Sequence, residues 1–192
     1  MEENTINGCE LLLIGGSAGS LEVLIQVLPR LHKFTAFSLV IVLHRKSTDD
    51  NLLEELIALK TSLPVREIED KTPLEKGSIY VAPADYHLLL EKDRLFGLDV
   101  SDKVNYSRPS IDVVFQSAAD AYGKGAVAVL LSGANADGTA GLKTIKAAGG
   151  RVVVQDPATA EMPYMPQYAM GQIIPDFVLS PEEITDFING LK

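Results

Sequence analysis

The sequence predicts an α/β fold: a doubly wound, mostly parallel sheet with helices on both faces and a small antiparallel hairpin near residues 77–100. Three observations predict it. Continuous apolar runs at 11–14, 37–43 and 126–131 suit parallel strands covered on both faces, which lack in–out alternation. Stretches with helical apolar spacing, such as Leu21, Leu24, Ile25 and Leu28, separate those runs. Strand and helix therefore alternate, as in a parallel sheet with crossover helices.

The first strand, 11–14, breaks into Gly15-Gly16-Ser17-Ala18-Gly19, and a helix follows from Leu21. This turn fits G-x-S-x-G, the elbow that exposes a serine hydroxyl on a strained strand-to-helix turn. It also fits a nucleotide or phosphate cradle at a helix N-terminus, or close packing of backbone alone. The turn by itself does not choose among the three.

The second strand, 37–43, ends at His44. Asp49 and Asp50 precede a helix over 52–63, which Pro64 stops. Short strands follow at 65–68 and 77–83. Two extended runs between His87 and Val100, on either side of Glu91-Lys92-Asp93, form the hairpin. Ser107-Arg108-Pro109-Ser110 opens a helix to Tyr122, which Gly123 and Gly125 end. Strand 126–131 leads into Ser132-Gly133-Ala134-Asn135-Ala136-Asp137-Gly138, then a helix to Ala148. Strand 151–154 ends in Gln155-Asp156-Pro157. A proline- and methionine-rich segment at 162–166 receives no element, and 176–179 is a last edge strand. Ser180-Pro181-Glu182-Glu183 is a capping box with proline at the first helical position. With no repeat, low-complexity tract or interdomain linker, residues 1–192 read as a single domain.

Composition narrows the function. Of 192 residues, 46% are hydrophobic and 22% charged, an ordinary globular balance with room for a full core. The net charge of −9 argues against nucleic acid as a partner, since that needs clustered Lys and Arg. No apolar run reaches the ~20 residues of a membrane span, so no membrane insertion is expected. The acidic start, Met1-Glu2-Glu3-Asn4, lacks the basic region of a signal peptide. The one cysteine, Cys9, has no internal disulfide partner and reads as a small core residue. A cytoplasmic location follows.

In such sheets ligands bind outside the carboxyl ends of the strands. Ser17, His44, Asp137 and Asp156 all follow strands in that position. A hydroxyl needs a base to become a nucleophile, an imidazole suits that task near neutral pH, and a carboxylate on its far nitrogen fixes the tautomer. The grouping is Ser17, His44 and Asp137, in a different chain order from the α/β-hydrolases. Asp137 also has a reading as the N-cap of the helix behind it, and Asp156 one as a turn residue before Pro157. His32 falls at a helix end on the opposite edge, and His87 at a strand start, where a structural role is expected.

Six segments occur in order: Leu13-Ile14-Gly15-Gly16-Ser17-Ala18-Gly19-Ser20, His44 at its strand end, Tyr80 to Leu90, Arg108 to Phe115, Leu131 to Gly138, and Tyr164 to Met170. Together they resemble the catalytic domain of the bacterial chemotaxis protein-glutamate methylesterases over roughly residues 9–175. The resemblance implies hydrolysis of γ-glutamyl methyl esters on the cytoplasmic helices of methylated chemoreceptors, with glutamine deamidation as a second activity. It implies Ser17 as nucleophile, His44 as base and Asp137 as its acid partner, with neither metal nor cofactor. Ala18, Ala134 and Asn135 are the implied oxyanion or substrate contacts. Ala134 stands where the family has methionine, and Ser17-Ala18-Gly19-Ser20 replaces its Ser-Thr-Gly-Gly, so a hydroxyl beside the nucleophile is lost. The stretch after His44, Arg45 to Asn51, also departs from the family pattern. The first strand starts near residue 1, so no receiver domain is expected before it, which implies either an unregulated catalytic domain or control by a separate regulatory chain. Two other classes remain as alternatives: a non-catalytic interaction module that retains the fold, and a nucleotide- or phosphate-binding domain.

Overall fold

The structure, a computed structural model, describes residues 8–45 and 50–192. Asp49, expected to lead into the second helix, and Met1 to Asn4 lie outside the described residues. The strands are β1 (Leu11–Gly16), β2 (Ser38–Leu43), β3 (Val65–Arg66), β4 (Ile79–Val81), β5 (His87–Leu90), β6 (Phe96–Asp99), β7 (Ala126–Leu130), β8 (Arg151–Gln155) and β9 (Phe177–Leu179). The helices are α1 (Ser20–Val27), α2 (Asp50–Lys60), α3 (Ile111–Tyr122), α4 (Thr139–Ala147), α5 (Tyr164–Gln172) and α6 (Pro181–Asn189).

Seven strands form one sheet in the order β3-β4-β2-β1-β7-β8-β9, every neighbouring pair parallel. The chain leaves β1 towards β2 on one side and later returns to its other side as β7. The switch point, where such folds bind ligands, is therefore the β1–β7 seam. Strands β5 and β6 pair antiparallel as a separate two-stranded sheet. The hairpin expected within 77–100 is thus confined to 87–99, and β4 belongs to the main sheet.

Because side chains alternate along a strand, each strand feeds two cores. Leu12, Ile14, Leu39, Ile41, Val127 and Val129 pack with Val23 and Leu24 of α1, Leu53 and Ile57 of α2, and Ile184 and Ile188 of α6. Leu11, Leu13, Val40, Val42, Ala128 and Leu130 pack on the other face with Ile111, Val114 and Phe115 of α3, Leu142 and Ile145 of α4, and Met165 of α5. Both sheet faces are covered, which explains the continuous apolar runs. Full burial of each of these Val, Leu, Ile, Phe and Met side chains stabilises by about 1.5–3 kcal/mol.

Three boundaries differ from expectation for local reasons. Helix α2 ends at Lys60 rather than at Leu63, because the Leu63 N–H donates to Thr61 Oγ1 (3.1 Å) and that local bond ends the helix before Pro64 acts. Residues 162–166 are not irregular: Pro163 precedes α5 and Pro166 lies in its first turn, where a missing N–H costs nothing. Helix α3 begins at Ile111 with Ser110 as N-cap, after Pro109 and not through it. The capping box at Ser180 and Glu183 is present.

Candidate active site

The site is built where β1, β2 and β7 end. Gly16 pairs with Leu43 across β1 and β2, so the next residues, Ser17 and His44, leave the sheet side by side. The His44 N–H still donates to the Gly16 carbonyl (3.2 Å). On the other side of β1, the Ser17 N–H donates to the Ser132 carbonyl (2.9 Å) and to Ser20 Oγ (3.0 Å). The Ser20 hydroxyl in turn donates to the Ser132 carbonyl (2.6 Å). The Ser132 N–H is held by Gln155 Oε1 (2.9 Å), and Gln155 is fully buried. A chain from β8 through the β7 end therefore fixes the backbone of Ser17.

The turn is tight for definite reasons. A Cβ on Gly16 would lie 2.0 Å from Ser20 Oγ. Gly19 adopts φ +81°, a left-handed conformation, and a Cβ there would lie 2.6 Å from Ser132 Oγ. Ser17 is not among the described non-glycine residues with positive φ. The left-handed conformation of this turn thus falls on Gly19, two residues after the serine, and not on Ser17.

His44 Nε2 lies 2.7 Å from Asp137 Oδ2. Beside a carboxylate that nitrogen carries the proton, which leaves the Nδ1 lone pair free to accept. Nδ1 meets Asn135 Nδ2 at 3.3 Å. The Asn135 orientation is fixed by its other end, since Oδ1 accepts the Asp137 N–H (3.0 Å). Behind His44, the next residue, Arg45, is locked in a two-pronged contact with Glu54 (2.9 and 3.3 Å) and donates to the Ala82 carbonyl (2.9 Å). The ring is 11% exposed, whereas Asp137 is fully buried.

Asp137 does not cap its own helix: Gly138 is the N-cap of α4. Its carboxylate sits instead at the N-terminus of α3. It accepts the N–H groups of Ile111 (2.7 Å) and Asp112 (3.1 Å), the Ser110 hydroxyl (2.9 Å) and the Asn105 amide (3.0 Å). Burial is the largest single influence on its pKa and raises it. The bonds from His44, Asn105 and Ile111, with the charge of His44, outweigh burial and hold the carboxyl at about 2. The positive end of α3 acts in the same direction. Asn105 also donates to Asp112 Oδ2 (2.9 Å). Burial pushes the Asp112 carboxyl up, against the Gly141 N–H bond, and the nearby Asp137 charge adds to the rise.

The remaining candidates fall elsewhere. Asp156 caps a short turn through the Ala158 N–H (2.9 Å). His87 is buried, with Nε2 at 3.0 Å from the Asp102 carbonyl and Nδ1 accepting the Ser110 N–H (3.3 Å). The His32 N–H donates to Asn189 Oδ1 (2.8 Å), far along the sheet from Ser17. Cys9 is buried, and burial pushes its thiol up to about 12. Ala18 and Ala134 are exposed at the site. Sequence reasoning missed Asn105, Ser20, Ser132, Gln155 and Arg45. Ser132, Gln155 and Arg45 stand at or just past strand ends, so the edge rule that found Ser17 points to them too. Nothing in the sequence marks Asn105.

Among the described residues no group of His, Cys, Asp and Glu is arranged to hold a metal, and no helix is long and apolar enough to cross a membrane. A half-buried imidazole on a fully buried carboxylate, beside a serine on a helix-opening turn, can do general-base chemistry on a hydroxyl.

Comparison with known proteins agrees with this geometry. The family model described as CheB methylesterase matches residues 12–188. A relative from Leptospira interrogans is 41% identical over 177 residues, covering 92% of each chain. The protein-glutamate methylesterase/protein-glutamine glutaminase of Thermotoga maritima is 32% identical over 93% of this chain, which spans 54% of that protein. The crystal structure of the Thermotoga maritima CheB methylesterase catalytic domain superposes with a TM-score of 0.90 at 32% identity, covering 94% of this chain and 97% of that one. With the family model spanning nearly the whole chain and both the sheet order and the strand-end site in place, the chain belongs to the CheB methylesterase family.

Proposed function

We infer that the protein hydrolyses glutamyl methyl esters on chemoreceptors, within their methylated cytoplasmic helices, through Ser17, His44 and Asp137. The observation that carries this reading is the His44–Asp137 pair at 2.7 Å, in register beside Ser17 at the end of β1.

The Ser17 hydroxyl oxygen attacks the ester carbonyl carbon while its proton passes to His44 Nδ1. The imidazolium so formed is stabilised by Asp137 on Nε2. The tetrahedral oxyanion takes hydrogen bonds from backbone N–H groups. The Ala18 amide, first after the nucleophile, is one source, and the Ala134–Asn135 segment is the second. The carbon–methoxy bond then breaks, and methanol leaves with the proton from His44. Water attacks the Ser17 ester, His44 takes its proton, and a glutamate carboxylate departs with Ser17 restored. The names of the relatives supply a second substrate, glutamine side chains. The same steps release ammonia in place of methanol.

Ala134 in place of the family's methionine leaves the backbone donor intact. The hydroxyl lost at Ala18 is not replaced by that of Ser20, which is buried and spent on Ser132 and Ser17. Labelling with a serine-directed fluorophosphonate tests the assignment. The intact protein labels, Ser17→Ala does not, and His44→Ala labels about a thousandfold more slowly. Equal labelling of all three overturns the triad and returns the chain to the non-catalytic module. Tight mononucleotide binding without labelling favours the nucleotide reading.

A further inference from the structure

Residues 104–107 form a two-residue turn. Val104 and Ser107 exchange N–H···O=C bonds of 3.2 and 2.9 Å, and the two residues between them, Asn105 and Tyr106, both have positive φ, 51° and 63°. A turn with two left-handed residues favours Asn followed by Gly, because a side chain is disfavoured at the second place. Asn105 fits that pattern and is held by its bonds to Asp112 and Asp137. Tyr106 does not fit it. Its side chain is 98% exposed, so no packing among the described residues compensates for the backbone it adopts. Unexplained backbone strain beside an active site is a sign of function.

The surroundings share its character. Val100 is 67% exposed and Tyr86 and Val104 are each more than a third exposed. Arg108 ties them together: its guanidinium donates to the Val100 and Ser101 carbonyls, and its own carbonyl accepts the Asp85 N–H. Tyr106 and Val104, on either side of the Asn105 that is bonded to Asp137, thus join Tyr86 and Val100 as exposed apolar and aromatic side chains on a stretch that also exposes Asp102 and Lys103. A methyl ester offers little to recognise, so discrimination must come from the polypeptide around it.

We propose that Tyr106 is a specificity-determining residue that packs against an apolar side chain of the polypeptide next to the scissile ester. This rests on the esterase reading above. Its backbone cost is met only when the substrate covers the ring.

The test compares Tyr106→Gly and Tyr106→Phe with the unsubstituted protein. It uses urea unfolding, fluorophosphonate labelling, and steady-state hydrolysis of a methylated chemoreceptor cytoplasmic fragment. Glycine relieves the turn, so Tyr106→Gly unfolds at higher urea. On the polypeptide its KM rises at least about fivefold while kcat stays within about twofold, the signature of lost uniform binding. Tyr106→Phe keeps the original KM. An unchanged KM in Tyr106→Gly overturns the proposal and leaves the esterase reading standing. A parallel fall in labelling and hydrolysis also overturns it, since the turn then acts by shaping the Asn105–Asp137 contact. Absence of Ser17 labelling in the unsubstituted protein removes both readings together.

Discussion

The Asn135 side chain bridges His44 and Asp137: Nδ2 approaches His44 Nδ1 at 3.3 Å while Oδ1 accepts the Asp137 N–H at 3.0 Å. The lone pair it occupies is the one the Ser17 hydroxyl needs. On the proposed mechanism the Asn135 amide and the Ser17 hydroxyl thus compete for one acceptor. Asn135→Ala frees Nδ1, and with a net hydrogen bond worth about 1 kcal/mol the rate of Ser17 labelling rises about fivefold. A fall as deep as that of His44→Ala would instead add the Asn135 side chain to the backbone N–H groups that stabilise the oxyanion.

Asp137 makes stability depend on acid. Its folded carboxyl lies at about 2 against an ordinary 3.8. A depressed carboxyl contributes stability that is present in full above its unfolded value and is lost as pH falls through its folded one. The contribution, about 2 kcal/mol, disappears between about pH 4 and about pH 2. Denaturant unfolding across that range shows a steeper loss for the parent than for Asp137→Asn. Parallel slopes would show that the carboxyl is not held down in the folded protein.

Gln155 tests the chain that fixes Ser17. Gln155→Leu keeps the volume of a fully buried side chain but leaves the buried Ser132 N–H without its acceptor. An orphaned buried donor costs about 1–3 kcal/mol, read as a lower urea midpoint. Because the Ser132 carbonyl holds the Ser17 N–H, labelling slows as well. Stability lost with labelling intact would mean that Ser17 is positioned by other contacts.

Arg45 directly follows His44, and its side chain anchors that stretch of backbone. Arg45→Ala removes both contacts to Glu54 and the one to Ala82. Misplacing a catalytic group by a fraction of an ångström slows labelling about tenfold or more. Glu54→Gln keeps one hydrogen-bond acceptor for the guanidinium and gives a smaller effect. The order of the two variants is the check, read from labelling rates at a single pH.

Much of the sheet was legible because burial on both faces writes itself as unbroken apolar runs. The runs at 11–14, 37–43 and 126–131 became β1, β2 and β7, and the rule of carboxyl ends brought Ser17, His44 and Asp137 to one edge. What was hidden depends on contacts distant in sequence. Thr61 ends α2 through a bond that no periodicity reports. Asp137 also had a reading as the cap of the next helix, yet its carboxylate takes the first N–H groups of α3, which begins 26 positions earlier. Asn105 sits in a turn with no motif, and only the fold brings it to two carboxylates. The α5 helix was obscured by prolines that are harmless in a first turn.

The placement of Asp137 over the first turn of α3 has a consequence for how the site comes into being. Ser17 and His44 belong to the β1–β2 half of the sheet, whereas Asp137 and the helix end that keeps it ionised belong to the β7 half. On the proposed mechanism, neither half alone contains a competent serine. Were the chain divided near residue 103, reactivity would appear only as the fragments recombined along the β1–β7 seam. Serine labelling then times the closing of that seam, so the reagent that tests the chemistry also serves as a clock for assembly.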